Sequence, residues 1–188
     1  MLLDEEKRII DAFAGDCAAA HEAGCRACAA LARVHGVQAD IAITSNGGYP
    51  LDQNFYQCVK GMTAAESCVR QGGCIILCAA MENGHGGESF YNWFAKRSGA
   101  EAVMKDISSI PPYETIPDQW EAQILARIML HAHCIVVTGA ENRAFIEEMH
   151  LEWAENPQAA LESARKIIGA NASVAVIPNG VGVIVGEG

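Results

Sequence analysis

The chain has 188 residues, and 13 Lys plus Arg against 23 Asp plus Glu leave a formal charge of −10. Its basic residues never stand more than two together, so it offers neither the basic footprint that nucleic acid requires nor a polybasic patch for an anionic membrane. With 51% hydrophobic and 19% charged residues, disorder is excluded and one domain of residues 1–188, with a full core, is expected.

The longest wholly apolar run, Cys74 to Met81, is too short to span a bilayer, and the acidic opening Met1-Leu2-Leu3-Asp4-Glu5-Glu6 lacks the cationic start of a signal peptide. A cytoplasmic location is expected. The 8 cysteines are then read as reduced thiols and small hydrophobes rather than a disulfide framework. Cys25-x-x-Cys28 has no second pair at zinc-ribbon spacing. His131-Ala-His133 would point both rings the same way in a strand, but no acidic or thiol partner stands at ligand spacing.

In chain order, residues 1–36 read as helical, as a hairpin of helices or two in succession: Ile9, Ile10 and Phe13 recur at helical spacing, Gly15-Asp16 restarts the pattern and Gly36 stops it. Ala39 to Thr44 reads as a strand entering the turn formers Ser45-Asn46-Gly47-Gly48-Tyr49-Pro50. Asp52 is placed to cap a helix from Gln53 to about Lys60. Gly61 should break it, and the capping box Thr63-Ala-Ala-Glu66 should start another that Gly72-Gly73 closes. Cys74 to Ala80 has the continuous apolar character of a strand buried on both faces.

A second glycine loop, Asn83 to Gly87, precedes a helix with Phe90, Trp93 and Phe94 on one stripe, and more helix is expected around Ala100 to Ile107. Pro111, Pro112 and Pro117 make an irregular crossing. Asp118 with Glu121 offers a capped start to a helix whose apolar face is Ile124, Leu125, Ile128 and Met129. Cys134 to Thr138 reads as strand, Glu141 to Met149 as helix, and Asn156-Pro157 as the capped start of a helix ending at Gly169. Ala172 to Ile177 and Val181 to Val185, separated by Pro178-Asn179-Gly180, read as a β-hairpin. The fold expected is a three-layer α/β/α domain, with a mostly parallel sheet and that C-terminal hairpin as an antiparallel edge. Loops 45–52, 81–88 and 138–141 should gather beyond the carboxyl ends of the strands, where such sheets bind ligands. Neither glycine loop has dinucleotide or P-loop spacing.

Helical spacing places Tyr56, Gln57 and Lys60 on the polar face opposite Phe55, Cys58, Val59 and Met62. A solvated face accounts for this pattern by itself. Two details favour a site: Lys60 and Arg70 are the only Lys or Arg between Arg33 and Lys96, and the helix follows directly on a glycine loop at the ligand edge. An ammonium beside an amide and a phenol can grip a carboxylate.

The run Thr44-Ser-Asn-Gly-Gly-Tyr-Pro-Leu-Asp-Gln-Asn-Phe-Tyr-Gln-Cys-Val-Lys-Gly61, the later Asp118-Gln-Trp-Glu-Ala-Gln-Ile-Leu125 and the closing Ile177-Pro-Asn-Gly180 resemble the C-terminal domain of the nickel-dependent lactate racemase family. The likeness runs in order over nearly the whole chain. That family racemises or epimerises 2-hydroxy acids by hydride transfer to a nickel-pincer nucleotide. The resemblance implies that Tyr56, Gln57 and Lys60 face the shared active site, that Trp120 joins them, and that Lys60 holds the substrate carboxylate. It also assigns the cofactor-tethering lysine, the nickel-ligating histidine and the two acid/base histidines to an N-terminal domain whose motifs this chain lacks. The expectation is half an enzyme, inactive by itself, partnered by that domain and a small 2-hydroxy acid, with no cofactor or metal ligand of its own. His85 is expected to cap or pack its loop. The competing reading is a non-catalytic α/β module for small-anion binding or assembly.

Overall fold

The computed structural model describes residues 1–4 and 6–186; Glu5 of the acidic opening segment and residues 187 and 188 lie outside the described residues. Two compact units form: residues 37–181, and a smaller one built from the segment up to residue 36 and the segment from 182 on.

The smaller unit departs from the all-helical expectation for residues 1–36. It opens with an antiparallel pair, β1 (Leu2–Leu3) and β2 (Ile9–Asp11), and only Cys17–Ala32 is helix, α1. The reason is local chemistry. The Arg8 N–H donates to Asp4 Oδ1 at 2.9 Å and the Lys7 N–H to the Asp4 carbonyl at 3.0 Å. Lys7 takes φ +64°, a left-handed conformation no α-helix accommodates. Helix begins where Asp16 Oδ1 accepts from the Ala19 N–H at 3.1 Å. Beyond α1, β3 (Arg33–His35) pairs in parallel with the last strand, β9 (Ile184–Gly186).

The larger unit runs β4 (Ala39–Ser45), α2 (Phe55–Glu66), β5 (Val69–Cys78), α3 (Glu88–Ala95), α4 (Ala100–Ser109), α5 (Gln119–His131), β6 (His133–Val137), α6 (Arg143–Glu148) after a 3-10 turn, β7 (Glu152–Ala154), α7 (Pro157–Ile168) and β8 (Val174–Ile177). Its sheet has the order β7-β6-β5-β4-β8, every neighbouring pair parallel. The expected α/β architecture with a mostly parallel sheet is therefore present. Period-2 alternation divides the strands between two cores. Ala42, Ile75, Leu77 and Val136 face the core formed with α2, α3, α4, α5 and α6; Ile41, Cys74, Ile76 and Ile135 face Ala160 and Ala164 of α7. These are the three layers.

The C-terminal hairpin does not form. β8 pairs with β4 and β9 with β3, in separate sheets. The Pro178-Asn179-Gly180 turn instead clasps the end of β4: the Gly180 N–H donates to the Ser45 carbonyl at 2.8 Å, the Ser45 hydroxyl to the Pro178 carbonyl at 2.6 Å, and Asn179 bridges to Asn46. Gly72 and Gly73 also correct their expected role. They lie inside β5, where the β4–β5 register shifts between Ala39 and Ile41 and Gly72 adopts φ +75°. His131 and His133 do not share a strand face: His131 ends α5 and meets the Val69 carbonyl at 2.9 Å, while His133 opens β6 and meets Glu152 at 2.9 Å.

All eight cysteines are free, and Cys58, Cys68, Cys74 and Cys134 are buried. Burial pushes Cys58 and Cys74 up to about 12, so these thiols stay protonated and inert at neutral pH. Thiol titration of the denatured chain, isolated without reductant and with air exposure kept brief, should count eight groups. A count short by one pair would contradict this.

Candidate functional site

The sequence reading divides residues 53–72 into two helices; the structure joins them into one, α2, that passes straight through Gly61. Asn54, not Asp52, caps it, its Oδ1 accepting from the Gln57 N–H at 3.0 Å. Asp52 lies below the loop, where its Oδ2 accepts from the Ala80 N–H at 3.1 Å. Gly61 is needed for close approach: a Cβ there would overlap the buried Asn46 Oδ1. Asn46 clips the first glycine loop to the helix, since its Oδ1 accepts from the Gly61 N–H at 3.1 Å and its Nδ2 donates to the carbonyls of Leu51 at 2.7 Å and Gln57 at 2.8 Å.

The second glycine loop supplies the partners that the first helical turn lacks. The Phe55 N–H donates to the Gly84 carbonyl at 2.9 Å and the Tyr56 N–H to the His85 carbonyl at 3.2 Å. Gly86, at φ +85°, passes so close that a Cβ would lie 2.6 Å from Asn54 and 3.0 Å from Tyr56 Cβ. The third loop closes onto the second: the Thr138 hydroxyl donates to the Ala80 carbonyl at 3.0 Å and Asn142 Nδ2 to the Met81 carbonyl at 3.2 Å. The three loops thus gather at one sheet edge, as expected. His85 packs within its loop, as expected. Its Nδ1 accepts from the Gly87 N–H at 3.1 Å, and its ring stacks on Tyr91 at 4.9 Å.

Helices α2 and α5 lie side by side in the same direction. Near the C-terminus of α2, Arg127 makes a two-pronged ion pair with Glu66 at 2.9 and 2.6 Å. At their N-termini, Tyr56 and Trp120 meet edge to face, with ring centroids 6.0 Å apart. Trp120 is 56% exposed, which for an indole at a helix start marks a surface wall rather than a core anchor. Lys60 is exposed and donates from Nζ to Gln57 Oε1 at 2.5 Å. Tyr56 joins Trp120, and Gln57 joins Lys60, on adjoining parts of the α2 and α5 surface. Burial, with the nearby Asp118 and Glu121 carboxylates, holds the Tyr56 phenol above its ordinary range, so it remains a proton donor.

Asp118 and Glu121 do not form the expected capping pair. Asp118 takes the left-handed region, φ +63°, and makes no side-chain cap, while Glu121 turns inward. Only 1% of Glu121 is exposed, and its Oε1 has no hydrogen-bond partner. Burial pushes this carboxyl up to about 7, with Lys60 pulling it down and Asp118 pushing it further up. The sequence carried a signal for it. Glu121 stands four and seven residues before Leu125 and Ile128, so the buried stripe of α5 begins with a carboxylate.

Among the described residues no group of three or more His, Cys, Asp or Glu side chains is arranged to hold a metal ion. No helix among the described residues is long and apolar enough to cross a membrane.

An all-parallel sheet flanked by helices, with a lysine, an amide, a phenol and an indole gathered at its loop edge, defines an α/β domain. Residues 34–185 match the family model described as the lactate racemase C-terminal domain, and the chain belongs to that family. It is 46% identical over 187 residues to the lactate racemase of Thermoanaerobacterium thermosaccharolyticum, covering 100% of this chain and 44% of that protein. It is 48% identical over 185 residues to the lactate racemase of Lactiplantibacillus plantarum, covering 98% of this chain and again 44% of the relative. The solved structure of the lactate racemase apoprotein from T. thermosaccharolyticum superposes with a TM-score of 0.94 at 47% identity, over 98% of this chain and 44% of that one. The chain thus spans less than half the length of these relatives.

Proposed function

We propose that this chain is the C-terminal part of a 2-hydroxy-acid racemase or epimerase and supplies its carboxylate grip. The observation that carries the reading is the state of Lys60. Of the two Lys or Arg residues between Arg33 and Lys96, Arg70 is ion-paired with Asp40, whereas Lys60 donates to a neutral amide. An ammonium aimed by Gln57 and held in no surface ion pair can take a substrate carboxylate without first breaking one. Tyr56, kept protonated beside Asp118, donates a second hydrogen bond to the bound acid by turning its phenol O–H from that carboxylate. Trp120, edge-on to Tyr56, walls the site and keeps water from it.

Hydride transfer and the nickel-pincer nucleotide belong, in this proposal, to an N-terminal region of the same protein, and the four residues here act only on the substrate. By itself the 188-residue chain should then racemise no 2-hydroxy acid. A cytoplasmic location is part of the same reading, supported by unpaired buried thiols. The test is reconstitution: L-lactate is offered to this chain alone, and to this chain joined to the cofactor-loaded N-terminal region of a relative. D-lactate from the joined protein alone is the expected result. D-lactate from the chain alone would contradict the division of labour, and none from either would favour a non-catalytic module.

A further inference from the structure

Glu121 has no place in the grip described above, yet it lies directly behind it. It follows Trp120 in the first turn of α5; its charge is felt by Tyr56 of α2, and it in turn feels the charge of Lys60. One of its oxygens is wholly buried without a hydrogen-bond partner, an arrangement that leaves an ionised carboxylate poorly solvated. The facing groups are few. From α2 come Lys60 and Tyr56, and from the helix's own start comes Asp118. The other elements packed against α5 contribute apolar core, such as Phe94 of α3 and Val103 of α4, and from β6 the protonated thiol Cys134.

We infer that Glu121 is a positioning residue that takes up a proton when a carboxylate seats on Lys60 and gives it back when the carboxylate leaves. The inference rests on the reading of Lys60 as a carboxylate grip. In the empty site Lys60 is the positive charge that favours ionised Glu121, while Asp118 and burial oppose it. A bound carboxylate neutralises Lys60 and adds a negative charge nearby, so the balance at Glu121 moves toward its neutral form. The proton comes from solvent and is the only species exchanged. Linkage makes the effect reciprocal: the neutral carboxyl favours carboxylate binding, and ionised Glu121 repels it. Glu121 is raised in the empty site and raised further in the filled one, so affinity is level below the empty-site midpoint, falls as pH rises between the two midpoints, and is level again above both.

The experiment follows the Glu121 side-chain carboxyl of the full 188-residue chain by carbon-13 NMR, its signal identified by its loss in Glu121→Gln. The empty site should titrate near 7. Saturating acetate or L-lactate, at constant ionic strength, should raise that midpoint by about half a unit, with about threefold weaker binding at alkaline than at acid pH. Glu121→Gln should abolish that pH dependence. Lys60→Gln should raise the empty-site midpoint and abolish the response to either acid, and Asp118→Asn should lower the midpoint. Should Glu121→Gln not fold, the signal is assigned by through-bond correlation to the Glu121 backbone and these last two variants carry the test, because Lys60 is exposed and Asp118 half-buried. A shift with acetate but not with lactate would support the proton coupling and contradict the hydroxy-acid reading. A carboxyl titrating in the ordinary glutamate range, or a midpoint that neither acid moves, would overturn the inference.

Discussion

Lys60→Ala in a full-length protein that carries this chain should lower lactate racemisation by about a thousandfold, with the fold intact. The side chain is exposed, and its one hydrogen bond is to Gln57, so its removal leaves no buried group unpaired. What is lost is the charge that holds the substrate, and with it the alignment of the reacting carbon. The control is Lys166→Ala, an exposed lysine in the last turn of α7, the helix that packs on the other face of the sheet; it should change the rate by no more than about twofold. Initial rates of D-lactate formation from L-lactate, with circular dichroism to establish folding, measure both. Equal losses in the two variants would remove Lys60 from the site.

Asn46→Ala should destabilise the larger unit by about 3 kcal/mol, the largest effect expected from one polar substitution here. Asn46 is 1% exposed, and alanine would leave the Gly61 N–H and the carbonyls of Leu51 and Gln57 without its amide. Because those partners belong to the loop and to α2, the damage falls where Tyr56, Gln57 and Lys60 are held. Urea unfolding should give a lower midpoint with little change in slope. Gly61→Ala attacks the same contact from the other side, and its Cβ has nowhere to go but into Asn46. An Asn46→Ala chain as stable as the parent would mean that the clip contributes nothing.

What could be read from residues alone follows the range of the forces involved. The strands at 39–45 and 133–137 announce themselves by apolar, β-branched runs. α7 announces itself by an asparagine cap and a proline in its first turn. These are local signals, and local structure obeys them. Gly61 misled for the opposite reason: its lack of a Cβ serves a contact with Asn46, fifteen residues earlier in the chain, and no local rule reports that. The Pro178-Asn179-Gly180 turn likewise spends its hydrogen bonds on Ser45, so the hairpin it suggests is replaced by two parallel pairings. β7, three residues long, carries too little pattern to be seen. Tyr56, Gln57 and Lys60 could be grouped because one helix carries them at i, i+1 and i+4. Trp120 could be joined to them only through the family resemblance, since its place beside Tyr56 depends on how α5 packs. Glu121 stands three residues after Asp118, where the sequence suggests a cap; its burial is a tertiary fact.

The claim on which the account turns is that Lys60 binds the carboxylate of a 2-hydroxy acid. Calorimetric titration of L-lactate into the full-length protein, parent against Lys60→Ala, addresses it without requiring turnover. Loss of the charged partner should weaken lactate binding by about tenfold or more. Binding of 1,2-propanediol, which lacks the carboxylate, should be the same in both proteins. Undiminished lactate affinity in Lys60→Ala would contradict the account.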